Sequence, residues 1–422
     1  MPAQTRIIHY YVCLGAAGGK EWKVNMTEIQ EKLLEALSAS LKGESVEWEP
    51  LSQEELSELY NLAHIHQILP LVYEAVYKSQ GVNPQVKAIS MRAAMTQALS
   101  TRDFLQLVSK MNEAKLYPLV VKGIIARKLY PIPDERVSGD EDLLITKELF
   151  PTYHQFFTEH NLVTGDDLEP YEVPYQLKGS SLYIELHKTL FQEESVAYGS
   201  WNQFFEKAHE RRTVEVIEGV EVSTMCPTDH FLFLILHAFK HFLHSGVGIR
   251  QVADIMMFAS HYEIDYDSIF NDLKKIHLEV FGATLLSIGK KYLHDAPIPD
   301  KYLELSENMD HLLEDILDAG VYGNSSMSRK HSANITLEAI TLDAQGKKAH
   351  ASLRSTLFPS RKDLIGRYPY LEKHGYLLPI AWFSRIVTYM KESSSREDNK
   401  ATETIKIGKE RVALMKEYKI IK

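Results

Sequence analysis

The sequence predicts an α+β protein in which a small mixed sheet lies between an N-terminal helical unit and a larger C-terminal one. Three observations lead there. Apolar residues recur at helical spacing from Met26 to about Lys115, short β-prone runs crowd the stretch from Leu116 to Cys226, and apolar helical patterns resume after Pro227. The divisions that follow are a leader or non-native extension at 1–25, a helical unit at 26–115, a sheet-bearing core at 116–226, a helical unit at 227–390, and a linker with a terminal helix at 391–422. A chain of 422 residues, 45% hydrophobic and 25% charged, has the length to bury such a core.

In chain order, Met1 to Asn25 lacks a basic start followed by an apolar block and does not read as a secretory signal, so Met26 is a candidate start. The glycine-rich GAAGGK at Gly15 to Lys20 fails as a phosphate loop, because its spacing is short and Glu21 stands where a metal-binding hydroxyl is needed. Ile29, Leu33, Leu34 and Leu37, then Leu56, Leu59 and Leu62, keep the three- and four-residue spacing of helices that bury one face. Leu116 to Val121 is a strand, Gly123 breaks it, and Ile124 to Tyr130 gives one or two helical turns that Pro131 and Pro133 end. Arg136 to Ile145 (RVSGDEDLLI) is extended, and strands are predicted at Tyr171 to Leu177, Ser181 to His187, Thr213 to Ile217 and Val220 to Thr224. Helices then cover Asp229 to Leu243 and Ile249 to His261. The SSSRED stretch from Ser393 reads as a solvated linker before a last helix near Thr402 to Tyr418.

Composition narrows the function. With 47 basic and 57 acidic residues the formal charge is −10, which offers a long phosphate backbone little attraction. Cys13 and Cys226 are far apart and form no spaced pair, which argues against a disulfide framework or a zinc knuckle and fits a reducing, cytoplasmic compartment. The strongest apolar run, Phe231 to Leu236, is stopped by His237, Lys240 and His241, so no membrane partner is expected.

Asp140 and Asp142 flank Glu141 on a predicted strand, where alternation sends both aspartates to one side. Two hard oxygen ligands so placed suit Mg2+, which takes one or two carboxylates together with substrate phosphates; the competing reading is a solvated acidic surface. Glu185 sits in SLYIELH, opposite the apolar Leu182, Ile184 and Leu186, and is therefore either a third metal acid or half of a salt bridge. Lys122 and Gly123 occupy a strand-to-helix turn where backbone amides can approach phosphates, or where a lysine is simply solvated. His230, His237, His241 and His244 share one helix face with Lys240 beside it, which is either a phosphate or acceptor surface or a packed interface. Arg250 and Asp254, four apart, suggest an ion pair. No serine-nucleophile elbow, zinc-protease motif or dinucleotide fingerprint is present.

The ordered set LVVKG, a short helix ending in LYP, RVSGDEDLLI and IELH resembles the bacterial uncharacterised nucleotidyltransferase family of the polymerase-β superfamily. The resemblance continues through LAHIHQILPLVYEAV, LHAFKHF, IRQVADIMM and the closing RYPYLEKHGYLLPIAWFSRI. It implies a polymerase-β type sheet, Asp140, Asp142 and Glu185 as catalytic metal ligands, and Lys122, Gly123, Arg136 and Ser138 as nucleotide-facing positions. His237, Lys240 and His241 join them as candidates from the helix face. It also implies Mg2+, as two ions with Mn2+ a substitute, and a nucleoside triphosphate such as ATP. The acceptor would be a hydroxyl on a small molecule, peptide or protein. Two alternatives stay open: a toxin-like enzyme acting on tRNA ends, and a nucleotide-binding regulator without turnover. Gly123 departs from the superfamily's Gly-Gly or Gly-Ser turn, since Ile124 follows it.

Overall fold

In the computed structural model, which describes residues 26–165, 171–244, 246–320, 332–346, 361–364, 368, 370–384 and 401–422, the N-terminal periodicity becomes four helices. These are α1 (Glu28–Leu41), α2 (Gln53–Ile65), α3 (Leu69–Gln80) and α4 (Pro84–Glu113). Thr27 with Gln30 and Ser52 with Glu55 form capping boxes that start α1 and α2, and Asn83 caps α4 ahead of its first-turn proline. The α1 stripe of Ile29, Leu33, Leu34, Leu37 and Leu41 is buried. Each such side chain contributes roughly 1.5–3 kcal/mol relative to exposure. The expectations for Met1 to Asn25 and for the SSSRED linker lie outside the described residues.

The sheet has seven strands: β1 (Leu119–Val121), β2 (Glu141–Leu144), β3 (Leu162–Val163), β4 (Glu172–Leu177), β5 (Tyr183–His187), β6 (Thr213–Ile217) and β7 (Val220–Thr224). Their order is β3-β4-β5-β2-β1-β7-β6. Parallel pairing of β2 with β5 and of β1 with β7, among otherwise antiparallel neighbours, makes the sheet mixed as expected. Strand β3 escapes sequence reading because two residues carry no period. Between β1 and β2, α5 (Gly123–Arg127) packs on both strands, and α6 (Phe150–Glu159) leads into β3.

Helices α7 (Pro227–His244), α8 (Ile249–His261), α9 (Tyr266–Lys275), α10 (Glu279–Tyr292), α11 (Asp300–Leu303) and α12 (Met309–Ala319) follow, and a terminal helix spans Ala401–Glu417. One hydrophobic core runs from Ile29 through the sheet to Ile421, so the helical groups and the sheet share an interior. Polar ties cross it. Ser38 Oγ donates to Leu293 O at 2.6 Å, and the buried His66 meets Leu317 O at 3.1 Å. No helix among the described residues is long and apolar enough to cross a membrane.

Candidate active site

Strand β2 divides its acids by alternation. Asp142 pairs in register with Glu185 on β5, and the two carboxylates project from one face while Leu143, Ile184 and Leu186 are buried on the other. Asp140 lies one residue before β2 and reaches the same side. Lys122 Nζ, at the end of β1, is 2.7 Å from Asp142 Oδ2 and 3.9 Å from Asp140 Oδ2. The structure therefore brings Asp140, Asp142, Glu185 and Lys122 together.

A residue to which sequence reading gave no role stands among them. His187, two positions beyond Glu185 on the same face, places Nε2 2.9 Å from Asp142 Oδ1 and 3.6 Å from Glu185 Oε2. Its Nδ1 is 3.6 Å from Glu172 Oε2, the residue paired with it across β4. Burial opposes its charge, but the bonds to Asp142 and Glu185 outweigh burial and lift the imidazole to about 9. Burial likewise raises Glu185, and the His187 bond overrides it, so the net shift is downward. Asp142, Glu185 and His187 each offer a ligand atom within 4.8 Å of the others. Two carboxylates and an imidazole form a donor set that fits a divalent cation once the imidazole gives up its proton, the cation then replacing the proton's charge beside Asp142 and Glu185. Strand alternation alone would have drawn His187 into the set.

Lys122 is held by its own backbone. It has φ +49°, a left-handed conformation that non-glycine residues adopt at a cost, and its N–H donates to His230 Nε2 at 2.8 Å. His230 Nδ1 lies 3.2 Å from Thr224 Oγ1, whose hydroxyl donates to Val120 O at 2.7 Å. That chain fixes His230 as a neutral Nδ1–H tautomer, and burial pushes it down to about 3.

Gly123 has a different purpose from the one expected of it. The start of α5 is filled from within by Glu141, which points to the opposite face from Asp142. Its Oε2 accepts from Ile124 N at 2.8 Å, and its Oε1 accepts from Arg127 Nη2 at 2.6 Å. A Cβ on Gly123, at φ +45°, would sit 2.0 Å from Glu141 Oε2. The glycine thus admits a carboxylate of the protein itself where a phosphate was expected, and the turn offers that amide to no nucleotide. Arg127, 1% exposed, carried no sequence signal.

Two further candidates have partners within the protein. Arg136 is buried and binds Asp254 through Nε at 3.0 Å and Nη2 at 2.5 Å, so its guanidinium braces α8 instead of facing the cleft. This displaces the Arg250–Asp254 pair: Arg250 Nη1 donates to Gln67 Oε1 and Val137 O, both at 2.8 Å. Ser138 is taken up by Arg127, whose Nη1 donates to its Oγ at 2.7 Å, and by Gln97, which accepts its N–H at 2.7 Å. Both residues hold the loop that delivers Asp140.

Beyond its first turn, α7 is buried, with His237, Lys240, His241 and His244 only partly so. Lys240 is the member of this stripe that feels the acids. Burial lowers Lys240, while Glu172, Asp142 and Glu185 pull it back up. Its Nζ lies 5.7 Å and 5.9 Å from the Tyr171 and Tyr198 rings. His237 and His241 touch through their Nε2 atoms at 3.1 Å, and burial, with Lys122 next, holds both well below the usual imidazole range. His230 belongs instead to the backbone network described above.

A family model described as "Uncharacterised nucleotidyltransferase" matches residues 52–294. No curated protein matches the chain. Among solved structures, an antigenic nucleotidyltransferase-like protein from Paracoccidioides brasiliensis aligns at 16% identity over 48% of this chain and 94% of that one. Its TM-score of 0.30 is too low to carry anything across.

Proposed function

The chain belongs to the family described as uncharacterised nucleotidyltransferases, and from that premise we propose that it is a divalent-cation-dependent enzyme of polymerase-β type. It moves a nucleoside monophosphate from a triphosphate, ATP first among candidates, to a hydroxyl on a small molecule, peptide or protein. The observation that carries this reading is the in-register pairing of Asp142 with Glu185, with Asp140 and the Lys122 ammonium on the same face.

Asp140, Asp142 and Glu185 would hold Mg2+, as two ions or with Mn2+ in its place, and His187 adds an imidazole to the set. When bound, such ions neutralise charge on the triphosphate and on the attacking and leaving oxygens. The chain supplies the rest. Lys122 exchanges a carboxylate for a phosphate oxygen, and Lys240, His237 and His241 line the phosphate side of the cleft as neutral or cationic donors. The acceptor oxygen bonds to the α-phosphorus as the bond to the β-phosphate oxygen breaks, pyrophosphate leaves, and Glu185 takes the hydroxyl proton. Most of the acceleration comes from position and charge, so few other reactive groups are needed. The acidic balance of the chain favours a cytoplasmic small molecule or protein over long nucleic acid as acceptor.

The test is incubation of the protein with α-labelled triphosphates, Mg2+ and cell extract, followed by separation of protein, nucleic acid and small-molecule fractions. Label in one fraction with release of pyrophosphate is expected. Label on tRNA would replace the acceptor class, and no label together with no Mg2+-nucleotide protection against heat would remove the transferase reading.

A further inference from the structure

The two carboxylate oxygens of Asp142 face different neighbours. Oδ1 is 2.9 Å from His187 Nε2, which is itself 3.6 Å from Glu185 Oε2. Oδ2 is 2.7 Å from the Lys122 ammonium, which lies 3.9 Å from Asp140 Oδ2. The Oδ1 side therefore gathers two carboxylates and an imidazole nitrogen, while the Oδ2 side offers oxygens alone. Ions distinguish such sets: Mg2+ is hard and takes oxygen ligands, whereas an imidazole suits divalent ions of the first transition row.

His187 is placed as a metal-binding histidine is usually placed. It is 6% exposed, and its Nδ1 is buried without a hydrogen-bond partner among the described residues. That nitrogen points at a carboxylate a little beyond bonding length, Glu172 Oε2 at 3.6 Å, on the residue paired in register with His187 across β4 and β5. Glu172 is fixed in turn, since the Tyr171 hydroxyl donates to its Oε1 at 2.9 Å. A ligating histidine almost always gives its second ring N–H to a carboxylate or carbonyl, which fixes the tautomer and makes the other nitrogen a stronger donor. Tyr171, Glu172 and His187 line up in that order behind Asp142 and Glu185.

We infer that the two ion positions of this site differ in chemistry: the one between Asp142 Oδ1, Glu185 and His187 selects a divalent first-row transition-metal ion over Mg2+, with His187 as nitrogen ligand and Glu172 as its positioning residue. The Oδ2 side, shared with Asp140, keeps oxygen ligands and suits Mg2+ with a triphosphate. The inference rests on the reading of these acids as metal ligands, and the competing role for His187 is that of a counter-charge which binds no ion.

The full chain, free of nucleotide, is loaded with Mn2+ and read by pulsed electron paramagnetic resonance, and its affinities for Mn2+ and Mg2+ are measured by calorimetry. The Mn2+ signal is expected to carry the coupling of a directly bound imidazole nitrogen. His187→Gln should abolish that coupling and reduce the preference for Mn2+ over Mg2+ at least about tenfold. Glu172→Gln should keep the coupling and weaken Mn2+ about tenfold. His241→Gln should leave the coupling as it is. Absence of nitrogen coupling in the wild type, which needs no variant to fold, would overturn the inference and leave His187 a counter-charge. So would coupling that survives His187→Gln, or an unchanged ratio of Mn2+ to Mg2+ affinity in that variant; undiminished Mn2+ affinity in Glu172→Gln would remove Glu172 from its role. The transferase reading fails separately: a chain that binds Mn2+ through His187 and moves no label keeps the inference and loses the reading, and one that moves label with Mg2+ but shows no coupling does the reverse.

Discussion

Glu141 and Asp142 are neighbours on one strand and both are 2% exposed, yet the two faces of the sheet treat them differently. Glu141 is closed off: Arg127 and the Ile124 amide account for its oxygens, and no solvent or ligand reaches the pair. Asp142 sits in a group of like and unlike charges, with Lys122, His187, Glu185 and Asp140 all close. Burial is therefore not what marks a site. A buried carboxylate matched by one arginine is framework, whereas one shared among several groups can change partners at little cost.

The same contrast separates two histidines. His187 and His230 are both buried, but acids lift one to about 9, whereas the other, which meets a hydroxyl and an amide and no acid, is pushed down by burial to about 3. Desolvation acts against the charge in each case, and the partners decide which form survives.

The comparison breaks most sharply at Glu141. Glu141→Gln leaves the Arg127 guanidinium buried without its counter-charge and should cost about 3–5 kcal/mol, read by chemical denaturation. A loss below about 1 kcal/mol accompanied by lost transfer would put Glu141 in the chemistry and erase the distinction between the faces. Next comes Asp142→Asn, which keeps the shape and removes the charge. Transfer should fall by 100-fold or more, equivalent to at least about 2.7 kcal/mol, while the chain stays folded. Undiminished transfer in a folded variant would make Asp142 structural.

An effect smaller per pH unit, and spread over several, concerns His230. His230 is depressed from 6.5 to about 3, so below 6.5 the unfolded chain takes up a proton that the folded chain refuses. Its contribution is present above pH 6.5 and drains away as pH falls towards 3, at about 1.4 kcal/mol per pH unit. His230→Leu should flatten that part of the stability profile while lowering stability at pH 7. An unchanged acid slope would show that the buried neutral imidazole contributes nothing there. Smallest is Lys122→Ala, expected to weaken triphosphate binding about tenfold, or about 1.4 kcal/mol, with folding intact. Unchanged affinity, measured by calorimetry, would leave Lys122 as no more than a counter-ion of Asp142 and Asp140.

Much of this was legible in residue order. Helical periodicity marked α1 to α4, α7 and α8, and β-prone runs marked six of the seven strands, because both signals come from side chains that must face a common core. Alternation also put Asp140 and Asp142 on one side and Glu185 opposite its apolar neighbours. Only the tertiary structure decided what those groups meet. Arg136 was expected at the nucleotide and is bound to Asp254, 118 residues away; Gly123 was expected under a phosphate and lies under Glu141. His187 passed unremarked until β2 and β5 were paired. The physical reason is common to all three. Local spacing sets the face on which a side chain emerges, but the charge or hydrogen bond it finds there comes from a segment distant in the chain, and that depends on strand order and helix packing.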